Sequence, residues 1–458
     1  MRFRVMKRRE FLSSAIVKTS GLALAMGSVA NSSCSRKAKS KRMSLALLGC
    51  RDKAAGMAIK ACNLDQNVTL KYVWDPDSAR SEDAVLMVTS ELGYAPEVGD
   101  DMKEILSDPE LDAVIVAAPE HWLALATVRA CRAGKDVYLD GGTGLSIWEG
   151  RTIVQAAEKY RVIVQVGFPS RSAGCSSSAR DFIKGGGLGQ VVHVKTYAMS
   201  GGDGDSFAAV VPDSPGLNWD TWLGPASERP YEPGIINSSG GGSWPKMWDF
   251  GGGILFSRGT RVMDLARMVL GDPEHPVSVY CLGEIRSGEP GRETPDFQVI
   301  TYNYGDFNLT MECGNQTRYL KTTPASIRES DSLFPDWRTN GYRVEIYGTG
   351  GLMYLGCDGD GWQAYGSGGE IIGQEAGRPA KEKHLRNFLD CVRSRKKPVA
   401  DPEKGHMSST LVHLGNISCR MGNKHLVFDG RTESFRNNEA NRFLRNSYRE
   451  NYSMPDVT

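Results

Sequence analysis

Short apolar runs alternate with helical segments between residues 43 and 166, and this alternation restricts the fold more than any other feature of the chain. The apolar runs cover residues 43–48, 68–74, 113–118, 137–139 and 162–166. Segments with helical spacing separate them, and Gly134 ends one of these segments at the position of a C-cap. Strands and helices in alternation predict an α/β domain with a doubly wound parallel sheet over residues 43–168.

The pattern changes after residue 168. Strand-like runs follow one another there, separated by long loops rich in glycine and proline, at residues 191–197, 277–282, 298–304 and 307–312. Helical spacing returns near the end of the chain, at about residues 381–394 and 405–420. Strands that follow each other in this way favour antiparallel pairing. We therefore expect an α+β domain with an open, mainly antiparallel sheet over residues 169–458.

The N-terminus has the features of an export signal. Basic residues precede an apolar stretch, and Arg8-Arg9-Glu10-Phe11-Leu12 reads as a twin-arginine motif. The apolar stretch is too short and too mixed for a membrane-spanning helix. Its end has two alternatives: Ser28-Val29-Ala30 suits cleavage, whereas Cys34 is a candidate for lipidation and membrane anchoring. We expect a signal peptide at residues 1–34, a linker at residues 35–42 and a periplasmic location.

The composition excludes several classes of protein. The chain has 458 residues, of which 40% are hydrophobic and 24% charged, so its length suits two or three domains with sizeable cores. The formal net charge of +1 provides no basic field for nucleic acid. The ten cysteines show no CxxC or other metal-ligand spacing. The sequence therefore predicts neither a nucleic-acid partner nor a metal site.

Five phrases of the sequence occur in a characteristic order, namely Ala118-Pro119-Glu120-His121-Trp122, Gly134-Lys135-Asp136-Val137-Tyr138, Trp219-Asp220-Thr221-Trp222-Leu223-Gly224-Pro225, Trp248-Asp249-Phe250-Gly251-Gly252-Gly253 and His384-Leu385-Arg386-Asn387-Phe388-Leu389-Asp390-Cys391. Together they resemble the Gfo/Idh/MocA family of oxidoreductases, and specifically its exported bacterial branch. The resemblance implies an NAD(P)-binding Rossmann domain first. It implies that the second sheet forms the substrate floor and a surface for homo-oligomers. The implied ligand is a small-molecule sugar, cyclitol or glycoside.

A dinucleotide-binding turn needs glycine where the backbone bends towards the pyrophosphate. Gly49 keeps this turn, and Ala54 is small enough for close packing of the helix on the strand. Arg51 stands at the position of closest approach, where its side chain either blocks the pyrophosphate, points outward or contacts the phosphate itself. Asp75 ends the second strand, where a carboxylate accepts from a ribose hydroxyl and favours NAD over NADP. The alternative is that Asp75 only opens the turn before Pro76.

Two proton-transfer motifs of the family are replaced here. Family members carry a Glu-Lys-Pro triplet, which corresponds to Asp140-Gly141-Gly142, and an aspartate and a histidine four residues apart, which correspond to Ser257 and Arg261. Glycine has no proton to give, and a guanidinium does not deprotonate near neutral pH. Asp264, one turn further on, does match the family pattern. Asp140, Asp264 and His121 are therefore the candidate catalytic residues.

The third strand and a later loop supply candidate binding residues. Pro119 and His121 follow the strand at its carboxyl end, where open sheets bind ligands, and are expected to border the cofactor. A hydrogen-bonded structural role is the alternative for His121. Trp248 lies in a loop that borders the substrate in the family, where its ring would stack on a sugar. The alternative for Trp248 is packing between the domains.

Two arginines follow the glycine-rich turn and could add positive charge to the substrate site. Arg258 and Arg261 would then attract a carboxylate, sulfate or phosphate group of a ligand. The alternative is a surface ion pair with Asp264 or Asp249.

Three hypotheses about function remain open. The first is an oxidoreductase that still uses NAD on a sugar derivative with altered acid–base residues. The second is a non-catalytic carbohydrate-binding partner of an active relative, which the replaced residues favour. The third is a glycosidase or lyase that uses the same cleft, for which the sequence supplies no clear acid–base pair.

Overall fold

Six parallel strands form the sheet of the first domain, within the part of the chain that the structure describes. The computed structural model describes residues 42–51, 53–199, 215–232, 234–236, 243–289 and 291–457. The strands are β1 (Met43–Leu48), β2 (Val68–Trp74), β3 (Glu97–Val98), β4 (Ala113–Val116), β5 (Asp136–Leu139) and β6 (Val164–Val166). Their order in the sheet is β3-β2-β1-β4-β5-β6. The order reverses between β1 and β4, which confirms the predicted doubly wound sheet.

Helices cover both faces of this sheet, because alternate side chains of each strand point to opposite faces. The connecting helices are α1 (Ala54–Leu64), α2 (Ser78–Leu92), α3 (Met102–Ser107), α4 (Glu120–Arg132) and α5 (Ile147–Tyr160). Leu45 and Leu47 of β1 join one hydrophobic cluster, which contains residues of α1. Ala46 and Leu48 join another, which contains residues of α4. The sheet is thus buried on both faces.

A second sheet of ten strands occupies the rest of the described chain. Its strands are β7 (Val191–Met199), β8 (Ser278–Glu284), β9 (Phe297–Asn303), β10 (Asn308–Gly314), β11 (Tyr342–Gly348), β12 (Leu352–Gly356), β13 (Trp362–Tyr365), β14 (Ile371–Glu375), β15 (Leu426–Asp429) and β16 (Ser434–Phe435). The order is β14-β13-β12-β11-β7-β10-β9-β8-β15-β16. Among the described strands of this second sheet, only β7 and β10 pair in parallel. The mainly antiparallel sheet is confirmed, and β11–β16 add to the strands predicted.

Helices pack on one face of the ten-stranded sheet. The later helices are α6 (Gly174–Lys184), α7 (Trp219–Leu223), α8 (Thr260–Val269), α9 (Ala325–Arg328), α10 (Lys381–Ser394) and α11 (Pro402–Arg420). A π-helical turn at Leu255–Gly259 leads directly into α8. Helices α8 and α11 contribute to the same core as β8 and β9. On the opposite face, Tyr280 and Leu282 of β8 are exposed.

Late chain segments return to the first domain. Phe388 of α10 lies in the hydrophobic cluster that also holds Leu45 of β1. Helix α4 begins at Glu120, directly after Pro119 at its N-cap. No helix among the described residues is long and apolar enough to cross a membrane. The predicted signal peptide, most of the linker and Cys34 lie outside the described residues.

Candidate functional site

Gly49 forms the turn that follows β1, and no other residue type fits there. Its φ is +94°, a left-handed conformation that side chains rarely adopt. A Cβ on Gly49 would lie 2.6 Å from the carbonyl oxygen of Ala117, at the end of β4. The amide of Gly49 donates to the carbonyl of Trp74, 2.8 Å away. The turn therefore sits where the strand order reverses, which is the usual place for a ligand in such sheets.

Helix α1 starts directly after this turn and presents its N-terminus to the same place. Ala54, its first residue, is buried, as close packing of helix on strand requires. Lys53 stands at the N-cap, and its side chain makes no capping hydrogen bond. Amides of the first helical turn are therefore not satisfied by that cap and suit an anionic group such as a pyrophosphate.

Asp75 ties the turn to the end of β2. One carboxylate oxygen accepts from the amide of Cys50 at 2.8 Å, and the other accepts from the amide of Asp77 at 3.0 Å. The turn-forming role considered for Asp75 is thus present in the structure. Each carboxylate oxygen can accept a second hydrogen bond, so these contacts leave room for a ribose hydroxyl.

Arg51 reaches from the turn towards the second part of the chain. Its guanidinium carbon lies 5.3 Å from the centre of the Trp244 ring, in the range of a cation–π contact. Its charge also acts on Glu120, the first residue of α4. Burial raises the pKa of Glu120 to about 8, and Arg51 partly opposes that rise. Glu120 accepts from the amide of Gly252 at 2.8 Å, so the glycine-rich turn is joined to α4.

His121 is enclosed by aromatic side chains. Its Nε2 lies 2.9 Å from the carbonyl oxygen of Trp222, and its ring centre lies 4.9 Å and 5.2 Å from the rings of Trp222 and Phe250. Only 3% of His121 is exposed, and burial lowers its pKa to about 4. The imidazole is therefore neutral at pH 7. Its catalytic and cofactor-binding roles stay predictions, and the structure gives it the contacts of a packing residue.

Asp140 and Arg261 meet at the carboxyl end of β5. Nη2 of Arg261 lies 3.2 Å from Oδ1 of Asp140, and about a third of each side chain is exposed. Gly141 has a φ of +125°, and a Cβ on Gly142 would lie 2.6 Å from the ring of Phe256. The Lys and Pro of the family triplet therefore cannot be restored here without backbone or side-chain movement. The alternative considered for Arg261 was an ion pair with Asp264 or Asp249, and the structure pairs it with Asp140 instead.

Two further groups face Arg261 and were not singled out by the motifs. Burial opposes the charge of Arg261, but Asp140, Tyr342 and Asp358 raise its pKa, so it stays cationic. Asp358 has a φ of +58°, and its Oδ1 is buried without a hydrogen-bond partner among the described residues. Backbone strain of this kind is common at functional sites. The available signal was Asp358-Gly359-Asp360-Gly361, which resembles part of a calcium-binding loop but is better interpreted as a turn.

Asp264, on the same helix as Arg261, forms a buried ion pair with Arg171. Arg171 donates to both of its oxygens at 2.8–2.9 Å, and Oγ of Ser408 donates at 2.8 Å. Asp264 is 0% exposed. Asp272 accepts from the same guanidinium. These contacts indicate that Asp264 holds α8 in place. Its catalytic role remains a prediction, which these contacts do not favour.

The remaining predicted ligand residues lie at different places in the structure. Arg258 is exposed and stands three residues before Arg261 in the chain. Trp248 lines a different cavity of about 300 Å³, which His121 also borders. There the guanidinium carbon of Arg420 lies 4.9 Å from the centre of its ring. Pro119 is partly exposed at the end of β4, beside the glycine turn.

A parallel sheet with this strand order and a glycine turn at its reversal point defines a Rossmann protein. Residues 43–168 match the family model described as "Oxidoreductase family, NAD-binding Rossmann fold", and residues 197–327 and 356–454 match "Oxidoreductase family, C-terminal alpha/beta domain". The chain belongs to the Gfo/Idh/MocA oxidoreductase family, as its five phrases predict.

Two relatives of known activity align with parts of the chain. It is 29% identical over 133 residues to scyllo-inositol 2-dehydrogenase (NAD(+)) of Bacillus subtilis, which covers 29% of this chain and 37% of that protein. It is 22% identical over 268 residues to levoglucosan dehydrogenase of Pseudarthrobacter phenanthrenivorans, which covers 55% of this chain and 57% of that protein. The chain thus spans less than two thirds of the length of these relatives.

Solved structures share the fold over most of the chain. Aldose-aldose oxidoreductase from Caulobacter crescentus, in complex with glycerol, superposes with a TM-score of 0.61 at 16% identity over 84% of this chain and 100% of that one. The WlbA dehydrogenase from Bordetella pertussis, in complex with NADH and UDP-GlcNAcA, superposes with a TM-score of 0.60 at 15% identity. The superposition covers 85% of this chain and 99% of that one. At such identities the similarity shows the fold alone.

Proposed function

We propose that this protein is an NAD-linked oxidoreductase of a sugar, cyclitol or glycoside, in which Asp140 and Arg261 replace the proton-transfer residues of its family. The Asp140–Arg261 pair is the observation that carries the proposal, because it places a carboxylate and a fixed cation together at the triplet position. The sugar dehydrogenases among the relatives support the substrate class.

The turn after β1 has the features that a dinucleotide needs. Gly49, Ala54 and the first turn of α1 would hold the pyrophosphate, with Arg51 adding a positive charge beside it. Asp75 would bind a ribose hydroxyl, and its charge would repel a 2′-phosphate, which favours NAD over NADP. Pro119 would border the cofactor at the end of β4. When bound, NAD supplies the hydride acceptor or donor.

Asp140 and Arg261 would divide the remaining chemistry between them. The carboxylate of Asp140 accepts the proton of the reacting hydroxyl, and it returns that proton in the reverse direction. Arg261 offers N–H donors to the substrate oxygen as negative charge develops there. Asp358, whose charge acts on Arg261, and Arg258, three residues before Arg261, would bind polar groups of the substrate.

A second candidate is a non-catalytic carbohydrate-binding protein. Arg261 favours this candidate, because its guanidinium stands where the family has a group that exchanges a proton. The guanidinium also donates a hydrogen bond to Asp140. In that case the same side chains would bind a sugar without turnover. The protein would then act beside an active relative.

We also propose export through the twin-arginine route to the periplasm, on the basis of Arg8-Arg9 in the sequence. Lipidation at Cys34 would anchor it to a membrane. The exposed Tyr280 and Leu282 on the open face of the second sheet support a homo-oligomer. Light scattering of the purified protein tests the oligomer, and a monomer at micromolar concentration would contradict it.

Thermal shift with NAD+, NADH and NADP+, followed by turnover assays, separates the two candidates. The substrates are scyllo-inositol, levoglucosan and a set of aldoses. Stabilisation by NADH together with reduction of NAD+ supports the oxidoreductase. Stabilisation by a sugar without any nucleotide effect or turnover supports the binding protein. If neither nucleotide nor sugar stabilises the protein, both proposals fail.

A further inference from the structure

Two histidines and a glutamate meet in a buried cluster that the candidate site does not use. His406 lies on α11, His275 precedes β8 and Glu433 precedes β16. Nε2 of His406 lies 2.6 Å from Oε1 of Glu433, and Nε2 of His275 lies 3.6 Å from the same oxygen. One ligand atom from each residue lies within 4.8 Å of the others. Imidazole nitrogens and a carboxylate at these separations are a ligand set for a transition metal.

His275 shows that the cluster is incomplete with protein atoms alone. Its side chain is 5% exposed, and neither ring nitrogen has a hydrogen-bond partner among the described residues. A distance of 3.6 Å to Glu433 is too long for a hydrogen bond. A buried polar atom without a partner costs free energy, and such atoms in native proteins usually bind water or an ion. Nε2 of His275 thus faces the same Glu433 oxygen that His406 contacts.

Hydrogen bonds from Arg151 fix the carboxylate of Glu433 in the way that outer hydrogen bonds fix a metal-ligating carboxylate. Arg151 donates to both of its oxygens, at 2.6 Å and 3.2 Å, and also to Glu403 at 2.6 Å and 3.0 Å. Such outer hydrogen bonds orient metal ligands. Two carboxylates against one guanidinium leave a net negative charge, which a divalent cation would offset.

A cavity of about 690 Å³, bordered by His275, Arg151 and Glu403, gives an ion a path to the cluster.

We propose that His275, His406 and Glu433 bind a divalent transition-metal ion, Zn²⁺ by the chemistry of the ligands, at a site separate from the Asp140–Arg261 pair. The ion joins α11 to the segments before β8 and β16, which gives it a structural role. Two nitrogens and one oxygen leave a fourth position for water from the cavity.

Titration of Zn²⁺ into chelator-treated, tag-free protein tests the proposal by calorimetry and by thermal shift. The wild-type chain should bind one ion and unfold at a higher temperature with it. His275→Gln and Glu433→Gln should each weaken binding on the order of 100-fold, or abolish it. The matched control is His413→Gln, which removes a buried histidine from the same helix outside the cluster and should bind as the wild type does.

Co²⁺ in place of Zn²⁺ keeps the proposal testable if the variants fail to fold. Visible bands typical of nitrogen and oxygen ligands support the site, whereas sulfur-to-metal charge-transfer bands would assign the ion to cysteines and overturn it. Absence of binding by the wild-type chain would overturn it too, as would unchanged binding by a folded His275→Gln variant.

Discussion

Nη2 of Arg261, on α8, lies 3.2 Å from Oδ1 of Asp140, which follows β5 of the other domain. The pair joins the two parts of the family architecture at the position where a lysine normally serves proton transfer. Arg261 supplies the positive charge that Gly141 lacks, but its guanidinium does not lose a proton near neutral pH. In the proposed mechanism, Asp140 therefore transfers the proton and Arg261 supplies the charge.

Replacement of Arg261 by Gln should lower kcat/KM for the identified sugar by about 100-fold, because a charged donor to the developing oxyanion is lost. Arg261→Lys should recover part of the loss, since it restores the charge but not the fork of donors. Steady-state kinetics with NAD+ measure both. Arg338→Gln is the control, because Arg338 is exposed and pairs with Asp336, two residues away in the chain. A folded Arg261→Gln variant with unchanged kcat/KM would remove Arg261 from the mechanism.

A methyl group at Gly49 should abolish the thermal shift caused by NADH. The change also costs about 1–3 kcal/mol of stability, because an alanine Cβ would meet the Ala117 carbonyl at 2.6 Å and φ is +94°. Gly56→Ala is the matched control in α1, since nothing lies within 4 Å of its added Cβ. That change should stabilise the protein by about 0.5–1 kcal/mol and leave the NADH response intact. Equal NADH responses in the two variants would contradict the cofactor site.

Asp264→Asn should destabilise the fold by about 3–5 kcal/mol, because it leaves Arg171 buried with only part of its compensating charge. Urea unfolding measures the loss. Asp181→Asn, which breaks the exposed pair with Arg180, should cost less than about 1 kcal/mol. If Asp264→Asn folds with wild-type stability but loses turnover, the residue is catalytic rather than structural.

The buried ring of His121 should make stability depend on pH below neutrality. Burial lowers its folded pKa to about 4 from an ordinary 6.5, so the unfolded chain binds more protons between these values. Its contribution is present above pH 6.5 and is lost as pH falls towards 4, by at most about 1.4 kcal/mol per pH unit. His121→Gln keeps a donor near the Trp222 carbonyl and should show a shallower loss of unfolding free energy. Identical pH profiles for the two proteins would show that His121 is not the titrating group.

Sequence patterns predicted the local elements well where burial is periodic. The runs at Met43–Leu48 and Val68–Trp74 are strands with the predicted bounds, because continuous apolar side chains are what a sheet covered on both faces requires. In the second sheet, strands β11 to β16 were not predicted. In β12 and β13 buried side chains alternate with partly buried ones, and β14 lies at the sheet edge without a buried residue.

The site was predictable only in part. Gly49 is determined locally, since a tight turn demands glycine. By contrast, the partners of Asp140, Asp264 and His275 come from residues far away in the chain. Arg171 has no motif of its own, yet it decides that Asp264 is buried in an ion pair. Side chains of this kind acquire a role only when the fold brings them within a few ångströms.

The sequence by itself determined the doubly wound first domain, the antiparallel second domain and the glycine turn between β1 and α1, because hydrophobic periodicity and backbone sterics act over a few residues. The tertiary structure alone decided that Arg261 neutralises Asp140, that Asp264 anchors α8 and that His275 faces Glu433. Charges and imidazoles interact through space, at distances that chain order does not encode.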